Sequence, residues 1–203
     1  MRQEVGAGGC HTIARMRTKA LALLLASLVV VGCASSSPQT VSRTRTEYNL
    51  GVDSYVAKDY AAARVHWARA VDIPSDDQVH ALNNLGFLLY QGWGGAPDVD
   101  RAIVLWKQAA SQGHSESQWH LGHAHESGRG VPKSLVEAYA WYRCSIESAE
   151  TMASGDKDAE AQILSDSQDA LTKLLTHLSA EDFAAGEVLA KEYVERFAKR
   201  GRT

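Results

Sequence analysis

From about Thr44 onward, hydrophobic and small residues recur three and four positions apart, the period of helices that each bury one face. No stretch alternates with the period of a strand. Tyr48, Leu50-Gly51 and Tyr55 mark a first helix; Ala63, Trp67 and Ala70 mark a second, which Pro74 ends. Further helices are predicted over the run beginning at Leu85, over 99–110, over the run beginning at Leu121, and over 135–147. After a polar break at 152–156, Ile163, Leu164, Leu171, Leu174, Leu175 and Leu178 form one apolar stripe. Ser179 with Asp182 reads as the cap opening a last helix, which carries Phe183, Leu189, Tyr193 and Phe197.

Two of these stretches repeat each other at a spacing of 36 residues. Leu85-Gly86, Gly92-Trp93-Gly94, Ala102 and Trp106 return as Leu121-Gly122, Gly128-Arg129-Gly130, Ala138 and Tyr142. A period of that length marks stacked supersecondary units, which present an extended binding surface more often than a catalytic pocket. The glycines read as helix ends: a Gly past the last turn can take the left-handed conformation, and Pro97 and Pro132 soon after prevent continuation.

The pattern Leu-Gly, Gly-x-Gly, Ala, aromatic, then Ala109-Ala110-x-x-Gly113, resembles the Sel-one-like repeat (SLR) family. The resemblance covers 79–148 in two copies. The second departs at its end, where Cys144-Ser145-Ile146 replaces the Ala-Ala-x-x-Gly close. Upstream, Leu50-Gly51, Ala63, Trp67, Ala70 and Pro74 resemble a tetratricopeptide repeat over 44–77. These resemblances imply an all-α fold: a short right-handed α-solenoid of helical hairpins. The unpatterned pair of helices over 156–200 would cap it, because a terminal unit needs a polar outer face. By the same resemblance the first helix of each hairpin lines a concave side. That directs Asn49, Val52 and Tyr55, then Asn83, Asn84, Phe87, Tyr90 and Gln91, then Trp119, His123 and Glu126 toward a protein or peptide partner. Asn amides can pair with a partner's backbone, and Tyr and Trp supply contact area at low entropy cost.

The N-terminal end adds an address. Met16-Arg17-Thr18-Lys19 followed by an apolar run over 20–31 has the form of a secretory signal. The run is shorter than the roughly 20 residues needed to cross a bilayer. Val30-Val31-Gly32-Cys33 resembles the bacterial lipobox, which implies cleavage before Cys33 and lipid on Cys33. Residues 1–32 are thus expected to be an upstream segment and signal, with Met16 as the start. The small, polar composition of 33–43 reads as a lipidated Cys and flexible tether. Ala34 rather than Asp after the Cys implies an outer-membrane anchor facing the periplasm. Cys144 is then the one cysteine of the folded part, expected to be a buried, inert thiol.

Charge and candidate chemistry change this picture little. A net charge of −3 and no basic run beyond Lys199, Arg200 and Arg202 argue against nucleic acid. His114, His120, His123 and His125 cluster in sequence, and His120 and His123 could share a face, yet no carboxylate or Cys completes a metal motif. His125 sits at a framework position of the repeat, where the first copy has Leu89. Ser154 to Lys157 matches Ser-x-x-Lys, without the companion elements that chemistry requires. No cofactor, metal or catalytic residue is expected. The expected function is an envelope-anchored scaffold for protein or peptide binding. The competing reading is an envelope enzyme or cell-wall-directed factor using its histidines or Ser154; a third is a structural subunit of an envelope complex.

Overall fold

Glycines lying under aromatic rings set the spacing of this fold. In the computed structural model, which describes residues 38–74, 77–151 and 157–198, eight α-helices and a closing π-helical turn succeed one another. They are α1 Pro38–Val56, α2 Tyr60–Ala70, α3 Gln78–Gln91, α4 Val99–Ala110, α5 Ser115–Ser127, α6 Leu135–Thr151, α7 Lys157–Leu175 and α8 Ala180–Tyr193. The π-helical turn is Val194–Ala198. No strand occurs among the described residues. The fold is the all-α solenoid of helical hairpins: α1 pairs with α2, α3 with α4 and α5 with α6, and each hairpin stacks on the next.

Each hairpin closes on the same device. Gly51 lies against Trp67, Gly86 against Trp106 and Gly122 against Tyr142. A Cβ on Gly86 would stand 2.7 Å from the Trp106 ring, and one on Gly122 would stand 2.5 Å from Tyr142. Only a residue without a side chain lets the ring lie flat on the partner backbone. Each indole then donates to a carbonyl three residues before its glycine: Trp67 Nε1 to Tyr48 O and Trp106 Nε1 to Asn83 O, both at 3.2 Å. Tyr142 donates instead to the Glu126 carboxylate at 2.7 Å. Trp106 and Tyr142 are thereby among the most deeply buried side chains.

Helix ends follow local chemistry. Gly92 (φ 75°) and Gly128 (φ 76°) close α3 and α5 in the left-handed region and donate to Leu88 O and Ala124 O. Asp59, Asp98 and Ser134 open α2, α4 and α6 by accepting from Ala62, Arg101 and Glu137 N–H. Ser179 opens α8 by accepting from Asp182 N–H. The glycine loops also join neighbouring units. Gly94 packs on the Tyr60 backbone, Arg64 donates to Ala96 O, and Gly130 lies on Val99 and Ile103.

Two boundaries and one side chain differ from the sequence reading. The apolar pattern begins near Thr44, but α1 starts at Pro38, within the stretch read as tether; a proline at the first helical position gives up no needed N–H. The helix read over 135–147 runs on to Thr151. Gly113 (φ 90°) stops the first copy there, whereas the equivalent Ala149 stays helical and buried. Leu175 falls off the α7 stripe and is exposed, leaving Ser167 and Leu174 as the buried residues of that helix. Both α7 and α8 pack on α6, so they cover the last hairpin. Cys144 is buried, its thiol pushed up to about 12 chiefly by burial, and its Sγ approaches Tyr193 O at 3.5 Å. Cys33, Ala34, the signal-like run and Ser154 lie outside the described residues.

Candidate functional site

The first helices of the hairpins line a trough of three successive stretches. The first, about 370 Å³, is walled by Tyr48, Val52 and Tyr55 of α1 and by Asn83, Asn84 and Phe87 of α3, with Trp67 and Glu116 at its floor. Beneath it runs a buried polar network. Asn83 donates to Glu116 Oε2 at 2.8 Å, and Ser117 Oγ donates to Asn83 Oδ1 at 2.8 Å. His114 Nδ1 accepts the Ser117 N–H at 3.3 Å, which puts its proton on Nε2, 3.2 Å from His80 Nδ1. Burial, then His80, lower the His114 pKa to about 4, so the imidazole is neutral at pH 7. Burial would raise Glu116, but His120, His114 and the Asn83 amide outweigh it and hold the carboxyl below its ordinary range. Tyr48 is raised, mainly by burial.

The middle stretch, about 140 Å³, lies between α3 and α5. His120 stacks on Trp106 at 4.4 Å between ring centroids and meets Trp119 edge-on at 5.1 Å. Its Nε2 stands 3.7 Å from Glu116 Oε1, beyond hydrogen-bond reach. Tyr90 packs on Trp106 at 4.9 Å, and the Arg129 guanidinium lies over the Tyr90 ring, 4.2 Å from its centroid. The third stretch is a cleft of about 920 Å³ between α5 and α7, lined by Trp119, His123, Glu126 and Tyr142 facing Asp166, Asp169 and Lys173. A rim of aromatic rings flanks the first stretch: Trp93 lies 4.8 Å from Tyr60 and meets Phe87 edge-on at 5.3 Å.

Most of the residues that the sequence directs to the concave side line this trough: Val52, Tyr55, Asn83, Asn84 and Phe87 in the first stretch, and Trp119, His123 and Glu126 in the third. Three behave differently. Asn49 is exposed and lines none of the three stretches, because one residue along a helix turns the side chain about 100° away from Tyr48. Tyr90 reaches the middle stretch but is only 4% exposed, packed as core. The Asn83 amide is spent inside the fold on Glu116 and Ser117, so Asn84 is the amide left nearer the opening. Trp67, Trp106, Glu116 and His120 were not read from sequence as trough residues. The first two belong to second helices and reach it only because their rings cross a glycine.

Of the clustered histidines, His114 meets His80, and His120 and His123 both border the middle stretch. His120 is buried against Trp106, His123 is exposed, and His125 is half-buried with its pKa lowered by burial. Among the described residues no group of three or more His, Cys, Asp or Glu side chains is placed to hold a metal ion. Nor is any described helix long and apolar enough to cross a membrane.

Residues 79–114 and 115–149 match the family model described as Sel1 repeat. Over 101 residues the chain is 31% identical to the ERAD-associated E3 ubiquitin-protein ligase component HRD3A of Arabidopsis thaliana and 30% identical to component HRD3B of the same plant. Each match takes in 49% of this chain, but only 14% and 16% of those proteins' own length. Among solved structures, a protective antigen present in uropathogenic Escherichia coli strains and displaying an SLR fold superposes with a TM-score of 0.64. It is 24% identical, over 78% of this chain and 31% of that one. A Sel1 repeat protein from Oxalobacter formigenes gives a TM-score of 0.48 at 17% identity, over 91% and 83%. Sel1 repeats typically mediate protein–protein interaction. Residues 79–149 of this chain are two Sel1 repeats, set in an all-α solenoid of the SLR fold.

Proposed function

We propose that this protein is a membrane-anchored adaptor of the bacterial cell envelope, holding a segment of another protein in the trough of α1, α3 and α5. One observation carries the reading: the trough is continuous. Phe87 borders both the first and middle stretches, and Trp119 and His123 border both the middle and third. A run of this kind suits an extended chain better than a compact small molecule. Half-buried Tyr55, Phe87 and Trp119 supply rigid aromatic anchors, with Asn84, Asp166 and Lys173 as polar partners along the edge. The lipobox-like Val30-Val31-Gly32-Cys33 supports a lipid on Cys33, and Ala34 supports an outer-membrane, periplasm-facing address.

A photo-crosslinking side chain placed at Phe87 or His123 in cells tests the trough, with Val104 of α4, 54% exposed and outside the trough, as the control. Adducts to a protein are expected from the first two positions and not from Val104. The same adducts from all three would remove the trough as the binding surface. In the same cells Cys33→Ser should move the protein from the membrane to the soluble fraction; unchanged membrane association would remove the anchor and leave the trough reading standing.

A further inference from the structure

We infer that the first stretch of the trough is a pocket for an arginine side chain of the bound segment, taken between aromatic walls against the Glu116 carboxylate; this rests on reading the trough as a protein-binding surface. An occupant can touch these walls. Tyr48, Tyr55, Asn84, Phe87 and Glu116 are each half-buried, and the Glu116 side chain keeps 41% of its surface exposed. Glu116 is the one charged residue lining the pocket among the described residues, with no Lys or Arg beside it. The third stretch differs, because there Glu126, Asp166 and Asp169 are mixed with Lys133 and Lys173. The negative field also reaches the walls. Tyr48 and Tyr55, raised first by burial, are raised further by carboxylates: Asp77 and Glu116 at Tyr48 and, after Tyr60, Glu116 at Tyr55.

The carboxylate keeps room for a donor. Its two oxygens offer about four lone-pair positions. Asn83 Nδ2 takes one, on Oε2 at 2.8 Å, and His120 Nε2 is too far from Oε1 to take another. Asn84 Oδ1, which accepts from Asn83 Nδ2 at 3.3 Å, has a second lone pair to offer. These groups select the occupant by charge. An anion would be repelled by Glu116, and an apolar or neutral group would cover an ionised carboxylate without a counter-charge. A cation pairs with it and is also drawn to the aromatic faces. Of the cationic side chains, a guanidinium suits the walls better than an ammonium. It is flat, stacks on rings, sheds water more readily and spreads its N–H donors over a fork. The size agrees: about 370 Å³ equals roughly twelve water volumes, enough for that planar head and its methylene stem.

The test uses the full chain labelled with 13C-methyl valine at pH 8, where an ordinary imidazole is neutral. The signals of Val52, which lines the same pocket, are identified by their loss in Val52→Ile. N-acetyl-arginine methylamide should shift them saturably, with a Kd about tenfold below that of the citrulline analogue, which keeps the shape and lacks the charge. The lysine analogue should bind about threefold more weakly than arginine. Glu116→Gln, which keeps an acceptor for the Asn83 amide, should bring arginine down to the citrulline level. Tyr55→Leu, which removes a ring and leaves the charge, should narrow the gap between arginine and lysine. Unmoved Val52 signals, arginine binding no tighter than citrulline or lysine, or undiminished binding in a folded Glu116→Gln would each overturn the pocket. Unmoved signals alongside crosslinks from Phe87 would overturn the pocket alone. Arginine-selective shifts without any crosslink from the trough would overturn the protein-binding reading beneath it.

Discussion

The three repeat hairpins and the C-terminal cap are both held by a glycine under an aromatic ring, yet they use that contact differently. In the hairpins the glycine and its ring lie on consecutive helices: Gly51 with Trp67, Gly86 with Trp106, Gly122 with Tyr142. In the cap, Gly186 of α8 lies under Tyr139 of α6, two helices back, with the Tyr139 hydroxyl donating to Glu187. Burial differs as sharply. Eight of the 14 residues of α3 are buried, against two of 19 in α7 and two of 14 in α8. A repeat helix is covered on several sides by its own hairpin partner and by the units before and after it, whereas a cap helix packs mainly on α6 and turns most of its surface to water. The cap therefore closes the array without adding much core.

The largest expected effect comes from emptying each region's main apolar site. Trp106→Ala should cost about 3–5 kcal/mol, since the indole is fully buried and also donates to Asn83 O. Leu174→Ala in α7 should cost about 2 kcal/mol, the low end for a buried leucine, because a helix with water on its far side can settle into the gap. Urea unfolding of the two variants decides this, and equal losses would erase the distinction between repeat and cap.

Next in size, the repeat hairpins should loosen in acid. His114, between α4 and α5, titrates at about 4 in the fold and near 6.5 when unfolded. The unfolded chain binds more protons between those values. Its contribution is therefore full above pH 6.5 and lost as pH falls toward 4, on the order of 3 kcal/mol in all. The lowered Glu116 acts in the same direction further into acid. Upward shifts occur in both regions and so do not separate them: Tyr48 and Tyr142 of the hairpins, and Tyr139, Cys144 and Tyr193 where the cap meets α6, are all raised, chiefly by burial. Their contribution is present below the unfolded pKa values and lost as pH rises through the folded ones. Amide hydrogen exchange should thus show α3 and α5 loosening first in acid. His114→Asn, which keeps an acceptor for the Ser117 N–H, should flatten the dependence between pH 4 and 6.5. An unchanged slope would remove His114 as its source.

The smallest expected difference concerns the glycines themselves. Gly86→Ala sets a Cβ 2.7 Å from a ring pinned by its own hydrogen bond and should cost about 1–3 kcal/mol. Gly186→Ala sets one 2.8 Å from Tyr139, but α8 can shift outward and gains the helix preference of alanine, so its cost should stay within about 1 kcal/mol. Thermal melts of the two variants compare them directly; a Gly186→Ala loss matching that of Gly86→Ala would show the cap to be as rigid as the hairpins.

Sequence alone determined the helices, most of their ends and the pairing of the hairpins. These depend on contacts within a turn or two, on glycines free to take a positive φ at 92 and 128, and on a motif repeated at a fixed interval. It also directed Tyr55, Asn84, Phe87, Trp119 and His123 to the concave side, because all five sit on first helices. What it did not carry depends on residues brought together once and without period. Gly186 meets Tyr139 across 47 residues, with no second copy of that pair to reveal it. Asn83 loses its amide to Glu116, 33 residues away, and Tyr90, Trp119 and His120 share one cavity only when α3 and α5 stack. Which polar atoms end up paired is settled by the distance between helices, a quantity that only the packed side chains fix.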